Sequence, residues 1–186
     1  MLRILSFVFL ITFTTTFTQS VVAQSAIINV EDFDSIHEAA AAIPKSGGVL
    51  KLPPGEYKIT EPIRITTGDT RFEGSGAASH IINENKHGQP AILIQHPDYA
   101  GKPTPNKDRL WRVNLADFRV TGNPQSGAGV EAHYIEEIFV QGVTSSYHGG
   151  DGLHLHFCYE DPRINDGLFT YNKKCGVYLE GCHDIV

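Results

Sequence analysis

A short segment that begins with glycine and continues with alternating apolar residues recurs in the second half of the chain. The glycines are Gly129, Gly152 and Gly176, so successive repeats lie 23 and 24 residues apart, and residues 91–94 fit the same frame. Short strands separated by turns rich in Gly, Pro and Asn continue to the end of the sequence. A period in the low twenties is typical of a solenoid whose coils stack on one another. The sequence therefore predicts an all-β fold, a right-handed parallel β-helix.

One amphipathic helix is predicted before the strands. Asp34 is placed to cap it, and the helix is expected over residues 35–43. Pro44 and the Gly47-Gly48 pair end it. A single apolar face follows the i, i+3, i+4, i+7 spacing and contains Ile36, Ala39, Ala40 and Ile43. Because only one face is apolar, the helix is expected to lie against another part of the fold.

Two stretches resemble the pectate-lyase-like (pectin lyase-like) β-helix superfamily. Residues 33–57 contain the helix, a Gly-Gly pair, a strand and the turn Pro-Pro-Gly-Glu-Tyr, as at the entry of that fold; residues 72–76 resemble its next coil. The resemblance implies that the helix caps the N-terminal coil, and a solenoid needs such a cap because its end otherwise exposes unpaired backbone and core. Lyases, hydrolases, epimerases and phage tail proteins share this scaffold, so the resemblance is specific for the fold rather than the reaction.

The N-terminus carries the pattern of a secretory signal peptide. Arg3 precedes an apolar run over residues 4–13, and small residues, Val21 and Ala23, lie at the −3 and −1 positions of a cleavage site. The predicted domains are a signal peptide, 1–23, and a β-helix domain, 24–186, that is incomplete at its C-terminus. A membrane anchor is the alternative, but threonines interrupt the run and it is short for a span. We therefore expect a secreted, periplasmic or extracellular protein with no membrane span after cleavage.

The overall charge limits the partners. The chain has 21 acidic and 15 basic residues and a net charge of −6. Nucleic-acid binding needs a basic footprint, so no nucleic acid partner is expected. An acidic polysaccharide remains compatible, because a local basic patch suffices to bind it. At the C-terminal coil no capping segment is evident, so a continuation of the chain or a capping partner is expected there.

Stacking of the repeats predicts two outward rows of polar side chains. Equivalent residues of adjacent coils lie about 4.8 Å apart. The first row contains Leu93, Glu131, His154 and Tyr178, and the second contains Gln95, His133, His156 and Glu180. Asp151 and the Tyr147-His148 turn are expected near these rows.

These rows supply most of the candidate site residues; Asp151 is expected at the entry of a strand, and Arg163 on the next side of the coil. The catalytic candidates are Glu131, His154, His156 and Asp151, because paired carboxylates or a histidine beside a carboxylate can transfer protons. The substrate-binding candidates are His133, Tyr178, Glu180 and Arg163. Outward strand positions must be polar in any case, so a solvated face explains much of the pattern, and only the enrichment in histidine is unusual.

No metal or cofactor is expected. Glu131, His133, His154 and His156 are ligand types that suit zinc, yet nothing in the spacing selects four convergent ligands. Calcium needs a carboxylate cluster, and the sequence does not assemble a clear one.

Two further features have open interpretations. Cys158 and Cys182 each lie six residues beyond the glycine of their coil and should stack, either as a disulfide or as two thiols. Cys175 is expected to be unpaired or buried. The long segment over residues 97–109 is interpreted either as a lid over a groove or as a solvated insertion.

Three functions fit the sequence, and they leave open whether the protein is an enzyme. The first is a secreted polysaccharide lyase or glycoside hydrolase acting on an acidic polysaccharide. The second is a noncatalytic carbohydrate-binding or adhesion module. The third is a structural β-helix, or an inactive fragment of a longer enzyme whose active residues lie in other coils.

Overall fold

The structure is a computed structural model that describes residues 26–102 and 105–185. The predicted signal peptide, residues 1–23, lies outside the described residues. The described residues form sixteen β-strands, one α-helix and two short 3₁₀ turns, at Val30–Asp32 and Asn106–Asp108. All of the pairings between named strands are parallel, and the chain winds as a β-solenoid, which confirms the predicted fold class.

Three parallel sheets form the sides of the solenoid. Sheet A contains, in spatial order, β1 (Ala26–Asn29), β2 (Gly48–Lys51), β5 (Thr70–Glu73), β8 (Leu110–Ala116), β11 (Ile135–Gln141) and β14 (Arg163–Asn165). Sheet B contains β3 (Gly55–Ile59), β6 (Ser79–Asn83), β9 (Arg119–Thr121), β12 (Thr144–Ser146) and β15 (Leu168–Thr170). Sheet C contains β4 (Ile63–Ile65), β7 (Ile92–Ile94), β10 (Val130–His133), β13 (Leu153–His156) and β16 (Val177–Glu180). After β1, each coil passes through sheets A, B and C in turn.

The glycine-led repeats are the strands of sheet C. Val130 pairs with Leu153, and Leu153 pairs with Val177. On the other side of β10, Val130 pairs with Ile92. The register predicted from the repeat spacing is therefore confirmed. Because side chains alternate along a strand, this register also decides which residues point to solvent.

The single α-helix, α1, spans Ile36–Ala41 and is shorter than predicted. Its N-cap is Ser35 rather than Asp34, since the Ser35 hydroxyl accepts a hydrogen bond from the Glu38 backbone N–H at 3.1 Å. The buried face of α1 packs beside β4, the edge strand of sheet C. The helix thus covers the end of that sheet. Within the described residues, no helix is long and apolar enough to cross a membrane.

Stacked apolar rows fill the interior. Phe72 and Phe118 are almost fully buried, with ring centroids 5.0 Å apart. Burying a side chain of this size contributes about 1.5–3 kcal/mol of stability. The apolar side chains that point inward from sheet C are buried from β4 to β13. In β16 the equivalent side chains are exposed, Val177 at 36% and Leu179 at 39%.

Several turns place non-glycine residues in the left-handed backbone region. Tyr134 and Phe157 occupy equivalent positions between sheets C and A, with φ of 54° and 52°, and Gly181 occupies the next with φ of 64°. Tyr147 and Tyr171 occupy equivalent positions between sheets B and C, with φ of 60° and 55°. A left-handed backbone conformation is unfavourable for bulky residues, so each such turn costs conformational free energy. Contacts made by the side chain can offset this cost.

Candidate functional site

The outer face of sheet C gathers the predicted polar rows. Glu131 pairs with His154 and His154 with Tyr178, while His133 pairs with His156 and His156 with Glu180. All six side chains therefore belong to three adjoining strands, β10, β13 and β16. Their histidines are largely shielded: the side chains of His133, His154 and His156 are 12%, 19% and 22% exposed. The predicted assembly of these residues on one face is confirmed.

Four of these residues form a continuous chain of contacts. His133 Nε2 lies 2.7 Å from Glu131 Oε1, and His133 Nδ1 lies 3.0 Å from His156 Nδ1. His156 Nε2 in turn lies 3.7 Å from Glu180 Oε1. Two imidazole rings thus connect two carboxylates across the strands of sheet C, and we name the chain Glu131–His133–His156–Glu180 the relay.

The hydrogen bonds of the relay decide where its protons reside. The Glu131 carboxylate can only accept, so His133 Nε2 donates to it. When His133 is neutral, its Nδ1 accepts, and His156 Nδ1 must then be the donor. We therefore assign the unprotonated nitrogen of a neutral His156 to Nε2, which faces Glu180. The relay orients His156 so that a basic nitrogen lies beside a carboxylate.

Two pKa shifts agree with this assignment. The hydrogen bond from His133 lowers the pKa of Glu131 and keeps its carboxyl ionised, while burial acts in the opposite direction. Burial lowers the pKa of His156, an effect that Glu180 opposes and His133 reinforces. His156 is therefore held in its neutral form at neutral pH, as a proton acceptor requires.

His154 lies beside the relay. Its Nε2 is 3.4 Å from Glu180 Oε2 without a well-aligned hydrogen bond, and its ring centroid is 4.9 Å from that of Tyr178. Asp151 Oδ2 lies 4.0 Å from His154 Nδ1. The other oxygen of Asp151 accepts a hydrogen bond from the Cys175 backbone N–H at 2.9 Å, and the residue is 5% exposed. Asp151 is thus anchored in the coil and faces His154 rather than solvent.

Tyr99 joins this face, which the sequence did not predict. Its ring stacks on His133 with centroids 4.9 Å apart and an interplanar angle of 23°. Tyr99 belongs to the long segment between β7 and β8, which has no repeat from which a register could be read. Tyr99 therefore covers the His133 ring of the relay.

Two further candidates lie outside the two rows. Arg163 begins β14 in sheet A, where its guanidinium lies 5.0 Å from the centre of the Phe139 ring, so it does not join the face of sheet C. The Tyr147-His148 turn leads from β12 towards β13, where Tyr147 stacks on Tyr171 and His148 is 1% exposed. Arg163 thus lies on the side of the coil that follows sheet C, as its place in the sequence predicts.

Neither metal ligation nor a disulfide is evident in the described part of the chain. No group of three His, Cys, Asp or Glu side chains there is arranged to hold a metal ion. Cys158 and Cys182 stack as predicted, but as thiols, with the Cys158 backbone N–H 3.4 Å from Cys182 Sγ. Cys175 is unpaired and exposed.

Comparison with known proteins supports the fold and goes no further. No family model matches the sequence. The L-xylulose/3-keto-L-gulonate kinase of Escherichia coli (strain K12) is 24% identical over 137 residues, which cover 67% of this chain and 26% of the kinase. Among solved structures, ORF18 of Geobacillus virus E2 aligns with a TM-score of 0.61 and 22% identity, over 76% of this chain and 30% of the viral chain. The chain thus spans less than a third of either protein, and the structural match shows a shared fold.

Proposed function

We propose that this protein cleaves an acidic polysaccharide bound along the outer face of sheet C, with His156 as the proton acceptor. The observation that carries the proposal is the relay, which holds a neutral histidine with its basic nitrogen oriented by a histidine and a carboxylate. The sequence resemblance to pectate-lyase-like β-helix proteins supports it, because polysaccharide lyases and hydrolases use this scaffold. Export after signal cleavage near Ala23 belongs to the same proposal, since it would bring the enzyme to extracellular polysaccharide.

Elimination fits the relay better than hydrolysis. A glycoside hydrolase needs a carboxylic acid that stays protonated, and the hydrogen bond from His133, which lowers the pKa of Glu131, does not suit Glu131 to that role. In a β-elimination, a neutral base removes the proton next to the carboxylate of a uronate ring. The electron pair of that C–H bond forms a carbon–carbon double bond, and the glycosidic C–O bond breaks. The departing oxygen takes up a proton from solvent, and His156 later releases the one it accepted.

A cation on the same face supports an acidic substrate. Arg64 continues the first outward row on β4, which pairs with β7, and β7 pairs with β10. Two strand spacings place its backbone about 10 Å from that of Glu131. Arg64 is exposed, and it has no ion pair with any described residue. An anionic chain that runs along the solenoid axis would therefore contact Arg64 and the relay together.

The decisive experiment measures cleavage of polygalacturonate and alginate by ultraviolet absorbance of unsaturated products and by release of reducing ends. We expect both signals from the unmodified chain. His156→Ala should abolish both, because a positioned base contributes about 10²–10⁴-fold in rate. The matched control is His87→Ala, which removes an exposed histidine from the turn between β6 and β7.

Other outcomes would change the assignment. Reducing ends without unsaturated product would indicate hydrolysis. Binding without any product would favour the second candidate, a noncatalytic carbohydrate-binding module. One observation favours that candidate: the Tyr99 ring covers His133, and Tyr178, which is 41% exposed, packs on His154, so aromatic surface is already in place for sugar rings. Absence of both binding and cleavage would contradict the carbohydrate proposal altogether.

A further inference from the structure

Two tyrosines form an exposed stack at the turns between sheets B and C. Tyr147 follows β12 and Tyr171 follows β15, at equivalent positions of adjacent coils. Their ring centroids lie 5.1 Å apart with an interplanar angle of 15°. Tyr147 is 53% exposed and Tyr171 is 73% exposed. Adjoining aromatic rings that remain in water are a candidate surface for an interaction.

The backbone at both positions is unfavourable for tyrosine. Both residues have positive φ, a region in which glycine carries no steric penalty. Tyr134, at the comparable turn between sheets C and A, also has positive φ, but it is 5% exposed, so burial offsets its strain. For Tyr147 and Tyr171 burial offers no such compensation. The contact between the two rings offsets part of this strain, and it leaves both rings largely open to a ligand.

The two rings border a cavity of about 380 Å³ that contains one charged side chain. Residues 122–124 line its other side, and His148 and Lys173 complete the lining. His148 is 1% exposed and presents no accessible nitrogen, so it contributes only to the wall. Lys173 is exposed, and no carboxylate lines the cavity. The cavity is thus an aromatic surface with a cation at its margin, in a chain with a net charge of −6.

We propose that Tyr147, Tyr171 and Lys173 form a second carbohydrate site, which binds an anionic pyranose ring. A pyranose presents a face of C–H bonds that packs on the electron-rich face of an aromatic ring, while its hydroxyl groups stay in water. A carboxylate or sulfate on the ring supplies the charge that Lys173 attracts. The turns that carry this site lead from sheet B into sheet C, so the site would anchor a polysaccharide beside the sheet C face without taking part in bond cleavage.

The test uses isothermal titration of the full chain carrying His156→Ala, so that binding is measured without turnover. The probes are a six-unit oligogalacturonate and its methyl ester, which has the same rings without the charge. We expect the double variant Tyr147→Ala/Tyr171→Ala to weaken binding of both probes by about tenfold or more, since a ring stack contributes on that scale. Lys173→Ala should weaken binding of the acid but not of the ester. Lys174→Ala, a matched exposed neighbour, should change neither affinity.

Glycine variants at the same positions distinguish a role of the two tyrosines in binding from a role in stabilising the fold. Tyr147→Gly and Tyr171→Gly relieve the positive-φ strain, so each should leave the melting temperature unchanged or raised while it weakens binding. Unchanged affinity in the double alanine variant, or no binding of either probe, overturns the proposal. This result is distinguishable from failure of the sheet C proposal, because cleavage is assayed separately with His156 intact.

Discussion

His133 and His156 meet through their Nδ1 atoms, 3.0 Å apart, across two adjacent strands of sheet C. A contact between two like nitrogens requires one proton between them, so the two rings cannot titrate independently. The carboxylate of Glu131 fixes the direction of this bond by accepting from the far nitrogen of His133. Histidine thus occupies the same position in two adjacent strands, and the two imidazole rings are oriented relative to each other by this hydrogen bond.

The first prediction concerns the pKa of His156. His133 lowers this pKa and Glu180 raises it, so His133→Gln should raise it and Glu180→Gln should lower it. Titration of the His156 ring signals by NMR measures both shifts. His87→Gln serves as the control and should leave the titration unchanged. Shifts of the same sign in the two variants would contradict the relay geometry.

The second prediction concerns stability at acidic pH. His148 is buried, and burial lowers its pKa from 6.5 to about 4. Because the unfolded chain binds a proton at higher pH than the folded chain, stability is greatest above pH 6.5 and is lost as the pH falls towards 4. This one group accounts for about 3 kcal/mol over that window.

His148→Leu should therefore reduce the decrease in unfolding free energy between pH 7 and pH 4. Urea denaturation at several pH values measures it. His87→Leu, at an exposed position, should retain the full decrease. An unchanged pH dependence in His148→Leu would show that His148 is hydrogen-bonded and protonates normally in the folded chain.

The fold could be predicted because it repeats. Gly129, Gly152 and Gly176 fixed the register of sheet C, and a register with alternating side chains fixes which residues face outward. The helix cap is Ser35 and not the predicted Asp34. Both residue types can cap a helix, and the backbone conformation that decides between two neighbours is not visible in the sequence pattern.

The parts of the site that depend on turns could not be predicted. Tyr99 reaches His133 from a segment without a repeat, and its sequence carries no sign of its partner. Arg163 was assigned to substrate binding from its residue type alone, and its predicted position on the next side of the coil carries no information about a ligand. Distances such as that between His133 and His156 depend on side-chain torsions, which stacking constrains only loosely.

The third prediction concerns a buried ion pair. Arg109 and Glu136 form a salt bridge, and the Glu136 side chain is 4% exposed. Arg109→Met would leave a buried carboxylate without this partner, and we expect it to cost about 3–5 kcal/mol in unfolding free energy. The double variant Arg109→Met/Glu136→Gln should recover much of this loss, because the uncompensated charge is gone. Denaturant unfolding of the three proteins checks the prediction, and additive losses would contradict it.

The fourth prediction concerns the order in which the cysteines react. A hydrogen bond from Cys158 lowers the pKa of Cys182 to about 7, whereas burial raises the pKa of Cys158 far above its usual range. Only thiolates react with iodoacetamide, so Cys182 should be alkylated at pH 7 while Cys158 stays unmodified until the chain unfolds. Mass spectrometry of peptides after timed labelling gives each rate, and exposed Cys175 provides the internal reference.

A variant tests whether the pairing of these two cysteines causes the effect. Cys158→Ala removes the thiol but keeps the backbone N–H that contacts Cys182 Sγ, so the pKa of Cys182 should rise part of the way and its labelling at pH 7 should slow, while the rate at Cys175 stays the same. The expected slowing is about threefold to tenfold, because a rise of one pKa unit from 7 lowers the thiolate fraction at pH 7 by that order. If Cys182 reacted equally fast in both proteins, its reactivity would come from its own exposure to solvent and not from the neighbouring Cys158 thiol.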